Sequence, residues 1–436
     1  MYAALKLTRM IKGLEQTFEE FPEHRRGKNS QYELADAGMG AFSVFFTQSP
    51  SFLAYQRDLK LRKGRSNAEK LFALRDIPSD NQIRSLLDPI SPSHLEGYYQ
   101  QIFRDLERDG VLKEFQSFAN MLLVAMDGTE YYSSKKIHCE QCNQRTLKNG
   151  EINYFHSALT PVIVQPENEH VLSLEPEFIT PQDGHEKQDC EIQAGKRWIE
   201  KHGDFYAKRS VAILGDDLYS RQPFCQALKD KHLHFILVCK PDSHINLYET
   251  VEFLDAQGVL GTKVVRKWNG RYAEIHTYRY ANKLPLNGDP SALEVNWCEV
   301  IITREDTAEI LYKNAFVTDF EVADTTVEAI VRDGRARWKV ENENNNVLKT
   351  KGYHIEHNFG HGNQYLASLL VSLNLLAFLL HTILDLVDEQ YHAIRQKLGR
   401  RRTFFQDLEA LLRYFTFDSW EDVFSFMFQG LELDTG

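Results

Sequence analysis

Apolar residues in the first 118 positions recur every three or four residues, which is the spacing of amphipathic helices. ELADAGMGAFSVFFTQ and SPSHLEGYYQQIFRDLERDGVL show this spacing most clearly. The SPS that opens the second segment is a natural helix start, because serine side chains accept hydrogen bonds from the first amides of a helix. The pattern therefore predicts a helical N-terminal domain over residues 1–118.

From residue 119 the pattern changes, and short apolar runs of strand length alternate with helical segments. In chain order it predicts three strands, a helix, a strand, a helix and a strand: NMLLVAMDG, EINYFHSALTPVIVQP, HVLSLEPEFI, EKQDCEIQAGKRWIEKHG, SVAILGDD, SRQPFCQALKDKHL and HFILVCK. The first of these helices, Glu186 to Gly203, is predicted to end at its glycine. The alternation predicts an α/β domain built on a central sheet.

Residues 251–322 break the alternation, because three successive segments there are rich in β-branched and aromatic residues. They predict a β-rich insertion inside the α/β domain. Helical spacing then returns and continues into YLASLLVSLNLLAFLLHTILDLV, Tyr365 to Val387. That stretch is long enough to cross a membrane, but Asn374, His381 and Asp385 interrupt it and favour a central buried helix instead.

These patterns divide the chain of 436 residues, which is long enough for two or three domains. The predicted parts are a helical domain (1–118), a first α/β part (119–250), the β-rich insertion (251–322), a second α/β part (323–395) and a C-terminal tail (396–436). The two α/β parts are expected to form one domain, which the insertion interrupts.

Composition and charge narrow the functional classes. At 42% hydrophobic and 26% charged residues, the chain matches ordinary soluble globular proteins. Its start lacks the apolar run of a secretory signal, and six cysteines in so long a chain do not form a disulfide framework, so a cytoplasmic protein is expected. The net charge of −11 argues against nucleic-acid binding over the whole surface, but local basic patches can still bind DNA.

Two basic clusters are candidate DNA contacts. The first contains Arg57, Lys60, Arg62, Lys63, Arg65 and Lys70. The segment IPSDNQIRSLLD follows it and predicts a short polar-faced helix, and a basic loop before such a helix suits contacts with the DNA backbone and groove. A solvated loop beside an ordinary helix explains this cluster equally well. The second cluster is RQKLGRRR, Arg395 to Arg402.

Two of the predicted strands end in aspartate, at Asp127 and at Asp216–Asp217. Carboxylates at the ends of central strands are held on a rigid platform, and a third carboxylate from a helix would complete a ligand set for Mg²⁺, which prefers oxygen. Two such ions about 3.5–4 Å apart stabilise the attacking and leaving oxygens of a displacement at phosphorus. An aspartate at a strand end is also a common turn former or helix cap.

The order of elements, with aspartates after the first and fourth strands and a glutamate on the last helix, resembles the ribonuclease-H-like fold. With its β-rich insertion, the chain resembles the DDE transposases of bacterial insertion sequences, in the group with a Tyr-Arg-Glu-Lys signature. The resemblance covers most of residues 119–395 and is carried by MDGTEYYSS, GDDLYSRQPFCQALKDKHLHFILVCK and RWKVENENNNVLKTKGYHIEHNFGHG. It implies a ribonuclease-H-like α/β fold, a mixed sheet with flanking helices interrupted by the insertion and preceded by a helical DNA-binding domain.

The resemblance assigns the catalytic, metal-binding carboxylates to Asp127, Asp216 and Glu341. Glu341 matches the family pattern Arg-Trp-x-Ile/Val-Glu, and a spacing of four residues places Arg337 on the same side of a helix. Glu343 should lie on the far side of that helix and outside the site.

The choice between the neighbouring aspartates 216 and 217 also comes from the resemblance. Family members place a tyrosine or phenylalanine three residues after the second aspartate, and Tyr219 stands three residues after Asp216. Asp217 is expected on the opposite face of the strand end.

The signature is incomplete in this chain, because Gly334 stands where its tyrosine belongs and its lysine falls one residue late, at Lys349. The family's tyrosine and lysine contact DNA phosphates, so Arg337 and Lys349 are the implied phosphate ligands. Trp268 and Trp297 in the insertion are candidates for stacking on a flipped base at a hairpin end, although a core role is the commoner one for each.

The resemblance implies a transposase that binds inverted repeats at the ends of its element, cleaves with two Mg²⁺ ions (Mn²⁺ can substitute) and joins the freed 3′ hydroxyl to target DNA. It implies a homodimer on DNA, associated with the nucleoid and not with a membrane. Two other classes stay open at this point: a ribonuclease-H-like endonuclease without strand transfer, and an inactive DNA-binding relative.

A CxxC motif, Cys139 and Cys142, lies between the first two predicted strands. With His138 or His156 it could hold zinc, but a four-ligand site needs a further pair, and a reduced pair in a hairpin is the simpler alternative. GYHIEHNFGHG, Gly352 to Gly362, clusters three histidines at a spacing that matches no standard ligand set, so DNA contact or packing is expected for it.

Overall fold

The computed structural model of the chain describes residues 2–25, 32–49, 51–59, 61–181 and 191–433. The N-terminal region contains six α-helices: α1 (Leu7–Glu19), α2 (Leu34–Phe46), α3 (Phe52–Leu59), α4 (Arg62–Phe72), α5 (Asp80–Leu87) and α6 (Glu96–Arg108). Helix α2 is the central one, and Gly38 lets α1 pack closely on it, because a Cβ there would lie 2.7 Å from the Phe18 ring. The predicted helical N-terminal region is confirmed.

The first α/β part follows. Its strands and helices are β1 (Leu122–Ala125), β2 (Gly128–Ser134), β3 (Asn143–Thr146), β4 (Ile152–Leu159), β5 (Val162–Gln165), β6 (Asn168–Ser173), β7 (Glu177–Ile179), α7 (Glu191–Ala207), β8 (Val211–Gly215), α8 (Gln222–Asp230), β9 (His234–Val238) and α9 (Ile245–Ala256). The strands belong to two sheets. Strands β2, β3, β4 and β7 form a four-stranded sheet that is separate from the main sheet.

Five of these strands form one side of the main sheet, in the order β6, β5, β1, β8 and β9, with β6 at the edge. β1, β8 and β9 are parallel, whereas β5 is antiparallel to both of its neighbours, β1 and β6. Helix α7 precedes β8, and α8 connects β8 to β9. This is the strand order of the ribonuclease-H-like fold, so the predicted fold class is confirmed.

The insertion consists of four long antiparallel strands: β10 (Gly261–Trp268), β11 (Ala273–Pro285), β12 (Glu294–Arg304) and β13 (Ile310–Thr318). They extend the main sheet to nine strands, because β13 pairs antiparallel with β9. The insertion therefore continues the sheet that carries the predicted aspartates.

Three predicted elements differ from the structure. HVLSLEPEFI forms two strands, β6 and β7, which lie in different sheets. EINYFHSALTPVIVQP forms two strands in two sheets, since Pro161 has no amide hydrogen to continue the ladder of β4. The helix predicted over 186–203 begins within the described residues at Glu191 and continues through Gly203, while positions 186–190 lie outside the described residues. Gly203 instead permits close packing, because a Cβ there would lie 3.1 Å from the Lys231 side chain.

The remaining chain is helical. It contains α10 (Val327–Arg335), a π-helix (Val340–Asn345), α11 (Asn346–Thr350), α12 (Leu366–Val387), α13 (Glu389–Leu398), α14 (Arg401–Tyr414) and α15 (Trp420–Gly430). Helix α12 is long and apolar enough to span a membrane, yet 89% of its most apolar 18-residue window is buried inside the protein. That burial agrees with the central helix predicted from its interrupting polar residues.

The C-terminal helices pack on the N-terminal ones. The indole nitrogen of Trp420 donates to the Leu71 carbonyl at 2.9 Å, and the Asn67 amide donates to the carbonyls of Leu412 and Phe415 at 2.8 Å. The predicted tail and the predicted N-terminal domain thus share one helical layer, and the five-part division stays a prediction.

Candidate active site

Asp127 and Asp216 leave the main sheet at the same edge. Strands β1 and β8 are parallel neighbours, and their register pairs Ala125 with Leu214. Each aspartate lies two residues beyond its paired residue, so the two carboxylates emerge at the same level. Both are partly buried.

The π-helix brings Glu341 to this edge. Its last residue, Asn345, donates from its amide to Oδ2 of Asp127 at 3.1 Å. Thr160, at the end of β4, donates from its hydroxyl to the Asn345 side-chain oxygen at 2.9 Å and from its amide to the Asp127 carbonyl at 3.0 Å. The Glu341 carboxylate forms an ion pair with the Arg337 guanidinium at a distance of 2.6 Å. The glutamate helix is therefore bonded directly to the first aspartate.

The charges at this edge act on one another. The pKa of Asp127 is raised to about 7, chiefly by burial and in part by the negative charges of Glu191, Glu341 and Asp216, while the Arg337 guanidinium opposes this rise. The three predicted carboxylates thus belong to one acidic cluster, together with Arg337 and one acid that the sequence pattern did not single out.

That additional acid is Glu191, the first residue of α7 within the described chain. The hydroxyl of Tyr219 donates to Oε1 of Glu191 at 2.5 Å. This buried tyrosine, whose spacing from Asp216 matched the family pattern, therefore holds Glu191 in place. Burial raises the pKa of Glu191, and the Tyr219 hydrogen bond partly offsets this. Gly128 is required beside it, because a Cβ there would lie 2.4 Å from Glu191 Oε2. No local signal separates Glu191 from other glutamates near a helix start.

Asp217 has a different environment, which supports the preference for Asp216. Its Oδ1 accepts from the Lys240 amide at 2.7 Å, and its Oδ2 accepts from the Ser243 hydroxyl. These bonds fix the turn after β9. Asp217 is therefore a turn-stabilising residue, the ordinary role of an aspartate in a loop.

The two departures from the signature have structural explanations. A Cβ at Gly334 would lie 2.8 Å from both Ile236 and Phe316, because α10 rests directly on the sheet at that point. A tyrosine at this position would collide with the core. The π-helix, Val340–Asn345, includes Glu341 and ends before Lys349. A π-helix closes i→i+5 hydrogen bonds and so holds about one more residue per turn than an α-helix. One additional residue is also the amount by which the spacing from Glu341 to Lys349 exceeds the spacing in the signature.

Lys349 reaches the surface, whereas the preceding residue, Leu348, does not. Leu348, at the usual position of the lysine, is completely buried. The Lys349 ammonium lies 3.0 Å from Glu356 Oε1, and 31% of its side chain is exposed. Lys349 rather than position 348 therefore presents a cation on this helix.

The other predicted DNA contacts are divided by burial. Trp268 is 65% exposed at the end of β10, whereas Trp297 is completely buried and packs against Tyr248. Trp297 therefore has the core role that was expected as the commoner one. Trp268 stays a candidate.

The basic clusters are also partly structural. In the first, Lys63 donates to the Tyr414 carbonyl, Arg65 is exposed, and the side chain of Arg62 lies outside the described part. In the second, Arg401 donates to the Tyr353 hydroxyl at 3.2 Å, and the Arg395 guanidinium stacks on Phe404. Several of these cations therefore hold helices together.

Cys139 and Cys142 lie in the turn that connects β2 to β3 of the four-stranded sheet. His156 and His361 complete a group of four ligand-type side chains with them. His138 stands apart and stacks on Tyr154. His361 belongs to the 352–362 segment, for which DNA contact or packing was expected, and it lies beside ligand-type side chains that are distant in sequence.

No family model and no curated protein matches the sequence. Among solved structures, the chain is similar to a piggyBac transposase in a cryo-EM synaptic complex with hairpin DNA, with a TM-score of 0.38 and 11% sequence identity, over 99% of this chain and 82% of that chain. At this TM-score the likeness is too distant to establish a shared activity.

Proposed function

We propose that the protein is a metal-dependent DNA transposase, which cleaves phosphodiester bonds at the ends of its element and joins those ends to target DNA. One observation carries the proposal: in a ribonuclease-H-like sheet, Asp127 and Asp216 leave parallel strands at one edge, and Glu341 comes from a helix bonded to Asp127. The motifs around these residues resemble those of DDE transposases of bacterial insertion sequences.

The donor set suits hard divalent cations. Carboxylate oxygens are the preferred ligands of Mg²⁺. The pKa of Asp127 is raised chiefly by burial and also by neighbouring negative charges, and a bound cation would stabilise the ionised carboxylate against both. Asp127, Asp216 and Glu341 would hold Mg²⁺ or Mn²⁺, with Glu191 as a fourth acid nearby. Bound ions of this kind activate an attacking oxygen and neutralise a leaving one.

The chain's own residues orient the DNA and the carboxylates. The Asn345 amide donates to Oδ2 of Asp127, which orients this carboxylate. Arg337, now paired with Glu341, is placed to bind a phosphate oxygen through charge-assisted hydrogen bonds when Glu341 turns to metal. Lys349 can exchange Glu356 for phosphate in the same way.

A cation-lined cleft between the insertion and α10 is a candidate path for the DNA backbone. It has a volume of about 580 Å³. Four cations line it, Lys263, Lys267, Arg332 and Arg335, and the exposed ring of Trp338 stands at its side. Glu328 pairs with both lysines, at 2.7 and 3.1 Å, so phosphate would have to compete for them.

The test is cleavage and joining of linear DNA that carries the sequences flanking the protein's own gene, with Mg²⁺ present. Asp127→Asn, Asp216→Asn and Glu341→Gln should each abolish cleavage and leave end binding intact, because the phosphate-binding cations remain. Glu343→Gln is the matched control, since Glu343 interacts by charge with Lys339 on the other side of the helix.

Each outcome separates the classes. Cleavage retained in Glu341→Gln would overturn that assignment. Cleavage without joining in the wild-type protein would indicate an endonuclease, and binding without cleavage would indicate an inactive relative. Two copies bound per pair of ends would support the proposed homodimer on DNA.

A further inference from the structure

Four side chains from three distant parts of the chain meet on the four-stranded sheet: Cys139, Cys142, His156 and His361. Each offers one ligand atom, and all four atoms lie within 4.8 Å of one another. Cys142, His156 and His361 are buried, and Cys139 is half-buried. Water therefore has little access to the space between them.

The distances match the edges of a tetrahedron around one metal ion. With metal–sulfur bonds of about 2.3 Å and metal–nitrogen bonds of about 2.05 Å, two sulfurs would lie roughly 3.8 Å apart and two nitrogens roughly 3.3 Å apart. The two Sγ atoms lie 3.9 Å apart, and the two Nε2 atoms lie 3.1 Å apart. Cys142 Sγ lies 3.3 Å from each Nε2 atom, and Cys139 Sγ lies 3.6 Å from His156 Nε2.

The hydrogen bonds of His361 favour a cation at the centre. Its Nδ1 lies 2.9 Å from the Gly362 carbonyl, which can only accept, so Nδ1 carries the proton. In the neutral ring, Nε2 then presents its lone pair toward His156 Nε2 and Cys142 Sγ. Such an outer carbonyl partner is the usual way in which a protein orients a metal-binding histidine.

We infer that Cys139, Cys142, His156 and His361 form a tetrahedral Cys₂His₂ site for structural Zn²⁺. Two thiolates and two imidazoles are a standard zinc donor set, and four protein ligands leave no position open for substrate. Iron–sulfur clusters commonly take four cysteines, and Mg²⁺ takes oxygen, so neither suits this set. The inference does not depend on the proposed function.

The site would join three parts of the fold. Cys139, Cys142 and His156 belong to the four-stranded sheet and its β2–β3 turn, while His361 lies in the segment between α11 and α12. That segment also receives N-terminal contacts, since Asp88 accepts from the amides of Asn363 and Gln364 at about 3 Å. Strand β4, which carries His156, ends beside Thr160 and so beside Asp127. Zinc would thereby hold the segment after the glutamate helix against the sheet that leads to the acidic cluster.

The test is the zinc content of the full-length protein, purified without chelator and measured by mass spectrometry of the metals. Wild-type protein should retain stoichiometric zinc, and Cys142→Ser and His361→Ala should lose it. His138→Ala and Cys225→Ser are matched controls that should keep it, because both residues lie outside the cluster. Cobalt exchanged into the wild type should show the sulfur-to-metal charge-transfer absorption of a tetrahedral thiolate site.

A second measurement protects the test against variants that fail to fold. Chelation of the wild-type protein should lower its melting temperature, and Zn²⁺ but not Mg²⁺ should restore it. Wild-type protein that holds no more zinc than Cys142→Ser would overturn the inference, as would a Cys139–Cys142 disulfide in freshly purified protein. Zinc lost equally in His138→Ala would refute the ligand set.

Discussion

The acidic edge and the Cys/His cluster are both suited to metals, but they are built differently. The Cys and His ligand atoms already lie within 4.8 Å of one another and are mostly buried. At the acidic edge Glu341 is half-exposed and turned to Arg337, while Asp127 is bonded to Asn345. One site is closed before any metal arrives, and the other still has polar partners to exchange.

This difference fits two kinds of metal chemistry. A closed site with four soft ligands stabilises a fold and does not bind substrate. Carboxylates that remain partly exposed, with a cation beside them, leave room for water and phosphate around Mg²⁺. The comparison therefore separates a site that holds the chain together from a site that can act on DNA.

The largest expected effect is a separation of the two sites by mutation. Asp127→Asn should lower Mg²⁺-dependent cleavage by at least roughly 1,000-fold, because an essential ligand is lost, and should keep its zinc. Cys142→Ser should lose zinc and melting temperature. Cleavage and zinc content, measured on the same preparations, test this directly. Loss of zinc in Asp127→Asn would show that the two sites are not independent.

The second largest expected effect is a dependence of the free energy of unfolding on pH, which should come from the acidic edge and not from the Cys/His cluster. The pKa of Asp127 is raised from 3.8 to about 7, so between these values the folded state holds a proton that the unfolded state releases. The free energy of unfolding should therefore fall as pH rises through this window, by roughly 3 kcal/mol after allowance for partial exposure.

Urea unfolding of zinc-loaded protein on both sides of this pH window, in buffer without Mg²⁺, measures the effect. Asp127→Asn should flatten the dependence, and Mg²⁺ should stabilise the wild type most above pH 7, where the carboxylate is ionised. An unchanged slope in Asp127→Asn would contradict the assignment of this proton to Asp127.

The smallest expected effect tests why the signature tyrosine is missing. Gly334→Ala should destabilise the protein by about 1–3 kcal/mol, because its Cβ would lie 2.8 Å from Ile236 and Phe316 in a packed core. Gly97→Ala is the control. That helical glycine has open space around it, so alanine should stabilise the protein by up to about 1 kcal/mol. Equal effects of the two substitutions, measured by urea unfolding, would mean that α10 can move away from the sheet.

Elements with a strong local pattern were predictable. The apolar runs that end at Asp127 and Asp216 are strands β1 and β8. The predicted block at 251–322 begins with the end of α9 and is a run of antiparallel strands from Gly261 to Thr318. The breaks of two predicted strands, at Pro161 and beside Pro176, were not recognised, although proline cannot continue a ladder. Within the described residues, the helix predicted over 186–203 runs from Glu191 to Ala207, so the glycine that was taken as its stop is a packing position.

The residues that complete the sites were less predictable. Asn345 lies in a run of asparagines, a residue type common on protein surfaces, but both Asn344 and Asn345 are buried. Asn345 donates a hydrogen bond to Asp127, which lies 218 positions away in the sequence. Glu191 meets the acidic edge only because α7 begins beside Gly128. Lys349 lies one residue further from Glu341 than the signature predicts, and the π-helix that includes Glu341 accounts for that additional residue.

The sequence by itself determined the helical N-terminal region, the aspartates at two strand ends and the glutamate after Arg-Trp, because each depends on neighbours within a few residues. Only the tertiary structure decided that Glu191 joins the acidic edge and that His361 meets Cys142, 219 positions away. The physical reason is that burial and ligand geometry arise from the packing of distant segments, which no local spacing records.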